Sequence, residues 1–153
     1  MSTLSNGRDL FLQQLSELLW IERTLEHEVL PKAIDEVSDA ELKQALSDHL
    51  EETREHVRRV ERAFLAAGAE PAASRTEVLA PQERDVKEPT LAALAQAGEA
   101  ARIEHVELAL YDVVIGLAEG EASKLLEQNR KDEEHALAVV ERQAKRLRAA
   151  LPR

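Results

Sequence analysis

Residues 49–57, HLEETREHV, place His49, Glu52 and His56 within about two helical turns, and these side chains are of the types that bind metal ions. Glu52 and His56 are four residues apart and therefore share one face of a helix, and His49 lies one turn before Glu52. That face belongs to a row of residues that should meet apolar neighbours. Because an unpaired buried charge costs several kcal/mol, three ionisable residues on such a face need a chemical explanation.

The other three helical segments carry carboxylates in the same unexpected place. Their inward rows are interrupted near mid-length by Glu22 in the first segment, Glu104 and Glu107 in the third, and Glu133 in the fourth. The nearest basic residues lie just off these rows: Arg23, Arg54, Arg102 and Lys131. Two metal ions would relieve the repulsion among converging carboxylates, since hard cations favour oxygen ligands and imidazole completes the shell. The sequence therefore predicts a dinuclear site with the ligands Glu22, Glu52, His56, Glu104, Glu107 and Glu133.

Some roles stay open at this point. Glu134 is an alternative to Glu133 as the ligand of the fourth segment. His49 could hydrogen-bond a ligand from behind, and His105 could do the same or fill a helix interface. Four further residues are predicted to face solvent: His27, Glu51, Glu55 and His135.

Helical periodicity defines the four segments that would position these residues. The first runs from about Leu4 to Leu30, and Pro31 should bend or end it, with helix resuming briefly over Lys32–Val37. The second opens with Ser38-Asp-Ala-Glu41, a capping-box pattern, and ends near Gly68. The third starts near Thr90 and ends at the break Glu119-Gly120-Glu121, and the fourth ends before Pro152.

The lengths of the connections select the topology. Short connections join the first two helices and the last two, so each pair should form an antiparallel hairpin. Between them lies EPAASRTEVLAPQERDVKEP, with room for one short helical turn and with three prolines: Pro71, Pro81 and Pro89. A helix of about 27 residues is about 40 Å long, which about 20 extended residues can cross. We expect an all-α, ferritin-like four-helix bundle with one long crossover between helices two and three, as a single domain over residues 1–153.

Composition excludes several functional classes. The chain of 153 residues contains no cysteine, which removes disulfides and thiol catalysis. A net charge of −10 argues against a nucleic-acid partner, because phosphate binding needs clustered Lys and Arg. There is no apolar run long enough to span a membrane and no secretory signal, so we expect no membrane partner and a cytoplasmic protein.

Several phrases resemble the YciE/YciF-like branch of the ferritin-like superfamily along nearly the whole chain. They are Asp9-Leu-Phe, Glu22, His49-Leu-Glu-Glu-Thr-x-x-His56-Val, Ile103-Glu-His-Val-Glu-Leu-Ala-x-Tyr111 and Asp132-Glu-Glu134. The resemblance implies a dimeric four-helix bundle, a di-iron or di-manganese centre and an association with stress response.

Two features depart from the ferritin-like oxidases, which usually carry Glu-x-x-His on the second and fourth helices. Here the second helix offers Glu52-x-x-x-His56, and Ala136 stands where a histidine would follow Glu133. The predicted site is therefore rich in carboxylates and has one histidine ligand.

Three functional hypotheses follow. In the first, two iron or manganese ions, bridged by Glu52 and one of Glu104, Glu107 or Glu133, react with peroxide or dioxygen. Tyr111 would then hydrogen-bond a ligand or donate an electron, although an ordinary core tyrosine is the simpler interpretation. In the second, the protein binds iron without turnover; the C-terminal residues give no sign of a fifth helix, so a homodimer is expected rather than a storage cage. In the third, it is a structural or interaction bundle.

Overall fold

Four long helices form the molecule in the computed structural model, which describes residues 3–80 and 84–152. In chain order the elements are α1 (Gly7–Thr24), a π-helical turn (Leu25–Val29), α2 (Leu30–Glu36), α3 (Ala40–Ala66), α4 (Pro89–Leu117) and α5 (Gly120–Ala149). The first long helix comprises α1, the π turn and α2. The described residues contain no strand, which confirms the all-α ferritin-like bundle with one long crossover.

Pro31 was expected to bend or end the first helix; the helix does not end there and continues to Glu36. Pro31 lies in the first turn of α2, directly after the π turn. In that turn the amide of Leu30 donates to the carbonyl of Leu25, five residues back instead of four. A proline needs no hydrogen bond for its own nitrogen, and the wider π turn accommodates the ring where a regular turn would clash with it.

α3 begins one residue later than the capping-box pattern predicts. Asp39, not Ser38, is the N-cap, and its carboxylate accepts a hydrogen bond from the amide of Leu42 at 2.9 Å. The prediction of a Ser38–Glu41 capping box was therefore wrong. Aspartate is as good an N-cap as serine, and here it also binds Arg146 of α5, which serine could not do as an ion pair.

Replacing Asp39 tests this assignment. We expect Asp39→Ala to lower the free energy of unfolding by about 1 kcal/mol, because it removes an N-cap and one of the two carboxylates that pair with Arg146. Ser38→Ala should change it by less than about 0.5 kcal/mol, as is usual for surface substitutions. Urea unfolding of both variants measures the difference. If the two variants were equally destabilised, Asp39 would not be the cap.

The other end of α3 agrees with the sequence. Gly68 follows the last helical residues with φ +75°, a conformation that favours glycine. The amide of Ala69 reaches back to the carbonyl of Phe64 at 3.0 Å, closing the helix end. The crossover then runs along the molecule and contains one short 3₁₀ turn, Glu77–Leu79, whose Leu79 side chain is buried. Pro81, which was also assigned to the crossover, lies outside the described residues.

The packing of the helices leaves a polar layer at mid-length. α1 packs against α3 and α4, and α5 packs against the same two helices. One apolar cluster fills the end of the bundle that holds the start of α1 and includes Phe11, Leu15, Val60, Phe64, Val114 and Leu126. A second fills the opposite end and includes Ile21, Leu25, Leu42, Leu46, Ile103 and Leu147. Between them every helix of the bundle contributes buried polar side chains.

None of the helices within residues 3–80 and 84–152 combines the length and the hydropathy that a membrane-spanning segment requires.

Candidate metal centre

Six ionisable side chains meet in the polar layer between the two apolar clusters. They are Glu22 from α1, His49 and His56 from α3, Glu104 and Glu107 from α4, and Glu133 from α5. His49 is 6 % exposed, and the others are exposed by 2 % or less. The structure thus brings together five of the six predicted ligands and adds His49, while Glu52 stays outside.

Their polar atoms form two groups that share one residue. In what we call the His49 group, one atom from each member lies within 4.8 Å of the others, and the members are His49, Glu104, Glu107 and Glu133. The His56 group satisfies the same limit, and its members are Glu22, His56 and Glu133. Because Glu133 belongs to both groups, its carboxylate is shared by the two sets of candidate ligands.

Each imidazole directs one nitrogen towards the carboxylates. His49 Nε2 lies 2.7 Å from Glu104 Oε1 and 3.8 Å from Glu133 Oε2. His56 Nδ1 lies 2.7 Å from Glu133 Oε1 and 3.6 Å from Glu22 Oε1. The two nitrogens that face the centre are therefore of different kinds, Nε2 in one group and Nδ1 in the other.

The hydrogen bonding of the centre is incomplete. Ten buried side-chain nitrogen or oxygen atoms of the described residues lack a hydrogen-bond partner, and nine of them belong to these six side chains. Such atoms are costly to bury unless another partner satisfies them. Carboxylate oxygens and imidazole nitrogens are the donors that iron and manganese accept, so the residues fit a pair of such ions.

Basic side chains do not compensate for the carboxylates. Across the described residues, the ion pairs of these six side chains join them to one another, to Glu52 or to Asp132. Arg23, Arg54 and Arg102 pair with acidic residues outside the centre, as their positions off the inward rows indicated.

A carboxylate outside the centre orients His56. Its Nε2 atom lies 3.2 Å from Asp132 Oδ2, which also accepts a hydrogen bond of 2.8 Å from Arg59. An N–H on Nε2 can donate to this oxygen, which leaves Nδ1 free to bind a cation. A carboxylate or carbonyl behind a ligating histidine is a common arrangement in metal sites.

Glu52 holds the equivalent position behind His49. Its carboxylate lies 3.6 Å from His49 Nδ1, and its side chain is 38 % exposed. Glu52 was predicted as a ligand and His49 as the residue behind it, whereas the geometry favours the opposite assignment. The physical reason is the helical angle, because a residue three positions after His49 points partly away from the bundle axis. Direct coordination by Glu52 stays a prediction.

Tyr111 is buried completely and is hydrogen-bonded to the centre. Its hydroxyl donates to Glu22 Oε1 at 2.6 Å and accepts from Asn129 Nδ2 at 3.0 Å. Asn129 also donates to the backbone carbonyl of His56 at 3.1 Å and accepts from Arg59 at 3.1 Å. A continuous set of hydrogen bonds therefore joins Glu22 to the residues that orient His56. Of the three interpretations of Tyr111, this geometry fits the hydrogen bond to a candidate ligand and the buried core tyrosine, and it gives no sign of electron donation.

Burial and mutual repulsion perturb the acidic groups. Burial, then the charges of Glu22 and Glu104, raises the pKa of Glu107 well above its usual range. Burial, then Glu107 and Glu104, raises the pKa of Glu133 in the same way. Burial is the largest effect on Glu104 and would raise its pKa, but the charge of His49, hydrogen bonds with Glu133 and His49 and the charge of His56 together lower that pKa. Without metal, the centre reduces its negative charge by retaining protons.

The histidines take up protons for the same reason. Burial alone would lower the pKa of His49, but Glu104, with help from Glu52 and Glu22, raises it to about 10. Burial likewise opposes protonation of His56, and Glu22 raises the pKa of that imidazole in spite of it. Bound cations would replace these protons, so metal uptake should release them.

The remaining candidates lie on the surface. His27 and His135 are exposed, and Glu51 and Glu55 pair with Arg residues on the solvent face of α3, as predicted. Two residues whose roles were left open also lie outside the centre: the side chain of His105 is 64 % exposed and faces Glu141, and that of Glu134 is 62 % exposed and faces Arg130.

Comparison with known proteins gives the family. The domain of unknown function DUF892 matches residues 6–150 of the chain. The chain belongs to this family. A search of curated proteins found no match.

Solved structures similar to this DUF892 member have the same fold. The Escherichia coli stress protein YciF is 24 % identical, with a TM-score of 0.82 over 94 % of this chain and 98 % of that one. YcfI from Rhodopseudomonas palustris, for which a structural role has been suggested, is 24 % identical, with a TM-score of 0.81 over 90 % and 94 %. A protein from Xanthomonas campestris is 21 % identical, with a TM-score of 0.74 over 94 % and 95 %. The resemblance to the YciE/YciF-like branch is confirmed.

The DUF892 chain has as many candidate ligands as ferritin-like sites have ligands, but they come from different helices. Ferritin-like di-iron centres combine four carboxylates with two histidines, one histidine from each of two helices. Here four glutamates also meet two histidines, but both histidines come from α3, seven residues apart.

Proposed function

We propose that this protein binds two iron or manganese ions and uses them in redox chemistry with peroxide or dioxygen. The observation that carries the proposal is the position of Glu133, which is buried, lacks hydrogen-bond partners and belongs to both groups of candidate ligands. A carboxylate held between two sets of ligands has the arrangement that a pair of metals requires.

The charges of the centre support the same stoichiometry. Four ionised glutamates carry four negative charges, which two divalent cations would balance if both imidazoles were neutral. Asp132 and Glu52 each lie behind one histidine, where their carboxylates can accept a hydrogen bond from the N–H of a neutral imidazole. One divalent ion would leave two negative charges uncompensated in a buried site.

Bound iron or manganese would supply electron transfer to an oxygen–oxygen bond, and the chain supplies the surroundings for it. Tyr111 holds one oxygen of Glu22 by its hydroxyl proton, and Asn129 fixes the orientation of that hydroxyl. Burial, then the charge of Glu22, raises the pKa of Tyr111 well above its usual value, so the phenol keeps its proton. The ligand Glu22 is thereby kept in place at a centre from which water is largely excluded.

The proposal includes the biological setting. We propose a cytoplasmic homodimer with a protective role under oxidative stress and with no nucleic-acid or membrane partner. Similarity to a protein named for stress supports this role, and the net charge of −10 supports the absence of a nucleic-acid partner. The opposing hypothesis is a structural bundle or an iron-binding protein without turnover.

Metal analysis of protein purified from its natural host tests the proposal. We expect about two iron or manganese ions per chain, with anomalous-scattering peaks on either side of Glu133. Addition of Fe(II) and peroxide to the metal-free protein should give faster Fe(II) oxidation than buffer. The structural role would be favoured if the purified protein contains no metal, takes up none and is equally stable with and without chelators.

Variants of α3 distinguish the ligand histidine from the carboxylate behind it. We expect His49→Ala to reduce the metal content to about one ion per chain, because it removes a ligand of the His49 group only. Glu52→Gln should keep two ions but weaken metal affinity about 10- to 100-fold, as loss of a supporting carboxylate usually does. Glu51→Gln, on the exposed face, is the matched control and should change neither quantity. Metal content and competition with a chelator measure both effects, and the reverse outcome would make Glu52 the ligand.

A further inference from the structure

A cavity of about 210 Å³ lies beside the His49 group. Residues of the π turn, α2, α3, the crossover and α4 form its walls. Most of the wall is apolar, and the apolar side chains include Leu25, Val29, Leu30, Leu46, Leu79 and Ile103. Leu25 and Val29 are the first and last residues of the π turn, a distortion that often occurs at functional sites.

The cavity reaches the candidate metal centre on one side only of Glu133. His49 and Glu104 belong to its lining, and both are members of the His49 group. On the other side, His56 is 0 % exposed and its outer nitrogen faces Asp132. A molecule in the cavity would therefore meet the His49 group.

The charges around the cavity do not favour an ionic ligand. Lys32 and Glu36 lie at its mouth, where their side chains are 74 % and 55 % exposed and 4.0 Å apart. Glu99 is bound by Arg102. The charged side chains of the lining, apart from the candidate ligands, are thus exposed to water or paired with each other.

The volume of the cavity indicates the size of its ligand. A water molecule occupies about 30 Å³ of liquid, so 210 Å³ exceeds what peroxide or dioxygen needs. An apolar cavity of about 150 Å³ is large enough to bind benzene. We propose that this cavity is the binding site of a small, uncharged, mostly apolar organic molecule, about the size of a six-membered ring, held against His49 and Glu104. The further interpretation that this molecule is a substrate rests on the proposed function.

Benzene and phenol are suitable probes of the cavity. We expect the full-length protein to bind benzene saturably after EDTA treatment, with changes in the methyl NMR signals of Leu25, Leu46 and Ile103. Ala100→Leu should weaken benzene binding about tenfold or more, because Ala100 lines the cavity and the added carbons fill it. Ala33→Leu, on the α2 wall, is a second filling variant in case the first fails to fold. Ala101→Leu is the matched control, because Ala101 is the half-buried neighbour of Ala100 on α4 and is not part of the cavity lining.

A second measurement tests whether a molecule in the cavity contacts the metal centre. Phenol should alter the visible absorption of Co(II)-substituted protein, and Ala100→Leu should suppress the change while the control keeps it. Absence of saturable benzene binding, or equal binding by both cavity variants and the parent, would overturn the proposal. An unaltered Co(II) spectrum in protein that binds both probes would overturn the contact with the His49 group. Because benzene binding is measured without metal, failure of the chain to bind metal would refute the proposed function alone.

Discussion

Replacing Glu133 with glutamine should remove both metal ions from the protein, whereas replacing its neighbour Glu134 should remove neither. Glu133 belongs to both groups of candidate ligands and is fully buried, so no water can replace its carboxylate without rearrangement of the core. Glutamine keeps the shape of the side chain but lacks the charge that binds a cation. The expected loss is from about two ions per chain to none, at metal concentrations that saturate the parent.

Glu134→Gln is the matched control because the two residues are adjacent and chemically identical, and the side chain of Glu134 is 62 % exposed. Metal content after gel filtration and the unfolding temperature with and without metal should be measured for both variants. Retention of one ion by Glu133→Gln would show that the two groups bind independently and that Glu133 serves only one of them. Loss of metal in Glu134→Gln would contradict the assignment of the α5 ligand.

The metal-free protein should lose stability steadily as the pH rises from 5 to 8. Glu107 and Glu133 have pKa values raised above the 4.5 of the unfolded chain, so the folded state holds protons that the unfolded state releases. Groups of this kind stabilise the fold fully below pH 4.5, and their contribution is lost as the pH rises through the folded pKa. While a group of this kind is protonated in the folded state and ionised in the unfolded state, each unit of rising pH lowers the free energy of unfolding by about 1.4 kcal/mol.

The histidines continue the same trend at higher pH. His49 has an unfolded value of 6.5 and a folded pKa of about 10, so its contribution is complete below pH 6.5 and declines towards pH 10. Glu104 acts in the opposite direction, since its pKa is lowered, but its contribution is lost only as the pH falls below 4.5. Within the range from 5 to 8 the raised groups therefore determine the slope.

Metal-loaded protein should behave differently, because cations replace the protons and bind more tightly as the ligands deprotonate. The difference in unfolding temperature between metal-loaded and EDTA-treated protein should increase from pH 5 to pH 8. Urea unfolding of metal-free Glu107→Gln should show a smaller slope, with a reduction of at most about 1.4 kcal/mol per pH unit, the share of one proton. Glu55→Gln, on the solvent face, should keep the parent slope. Stability that is constant or rises across this range would contradict the protonated centre.

The helices and their connections could be predicted because each depends on local signals. Periodic apolar residues, Gly68 and the break at Gly120 define the bundle, and the length of the crossover selects its topology. The start of α3 was misplaced by one residue because Ser38 and Asp39 are both good caps. What decides between them is Arg146, more than one hundred residues later in the chain.

The centre could be predicted in outline but not in detail. The inward row of α3 contains Leu46, His49, Thr53 and His56, and all four are buried. Glu52 is not a member of that row, so the row itself already pointed to His49. Glu52 was preferred because it is four residues before His56 and shares a helical face with it, although it lies at the edge of the inward row.

Arg59, Asn129 and Asp132 were beyond the reach of the sequence for another reason. Their hydrogen bonds join residues 70 to 76 positions apart, and no short motif records such pairs. One weak signal exists, since Asn129 and Glu133 are four apart on α5 and Arg59 follows His56 by one turn. Only the packing of α3 against α5 turns these spacings into a hydrogen-bonded set.

The placement of Glu133 on α5 also has a consequence for how the protein is made. The chain leaves the ribosome from its N-terminus, so Glu22 and both histidines emerge long before the last helix. The residue that belongs to both groups of ligands is delivered last, and α5 must dock between α3 and α4 before the pair of groups exists. If the protein binds two ions as proposed, a partly synthesised chain has no complete dinuclear site, and both ions would be held only once α5 has docked.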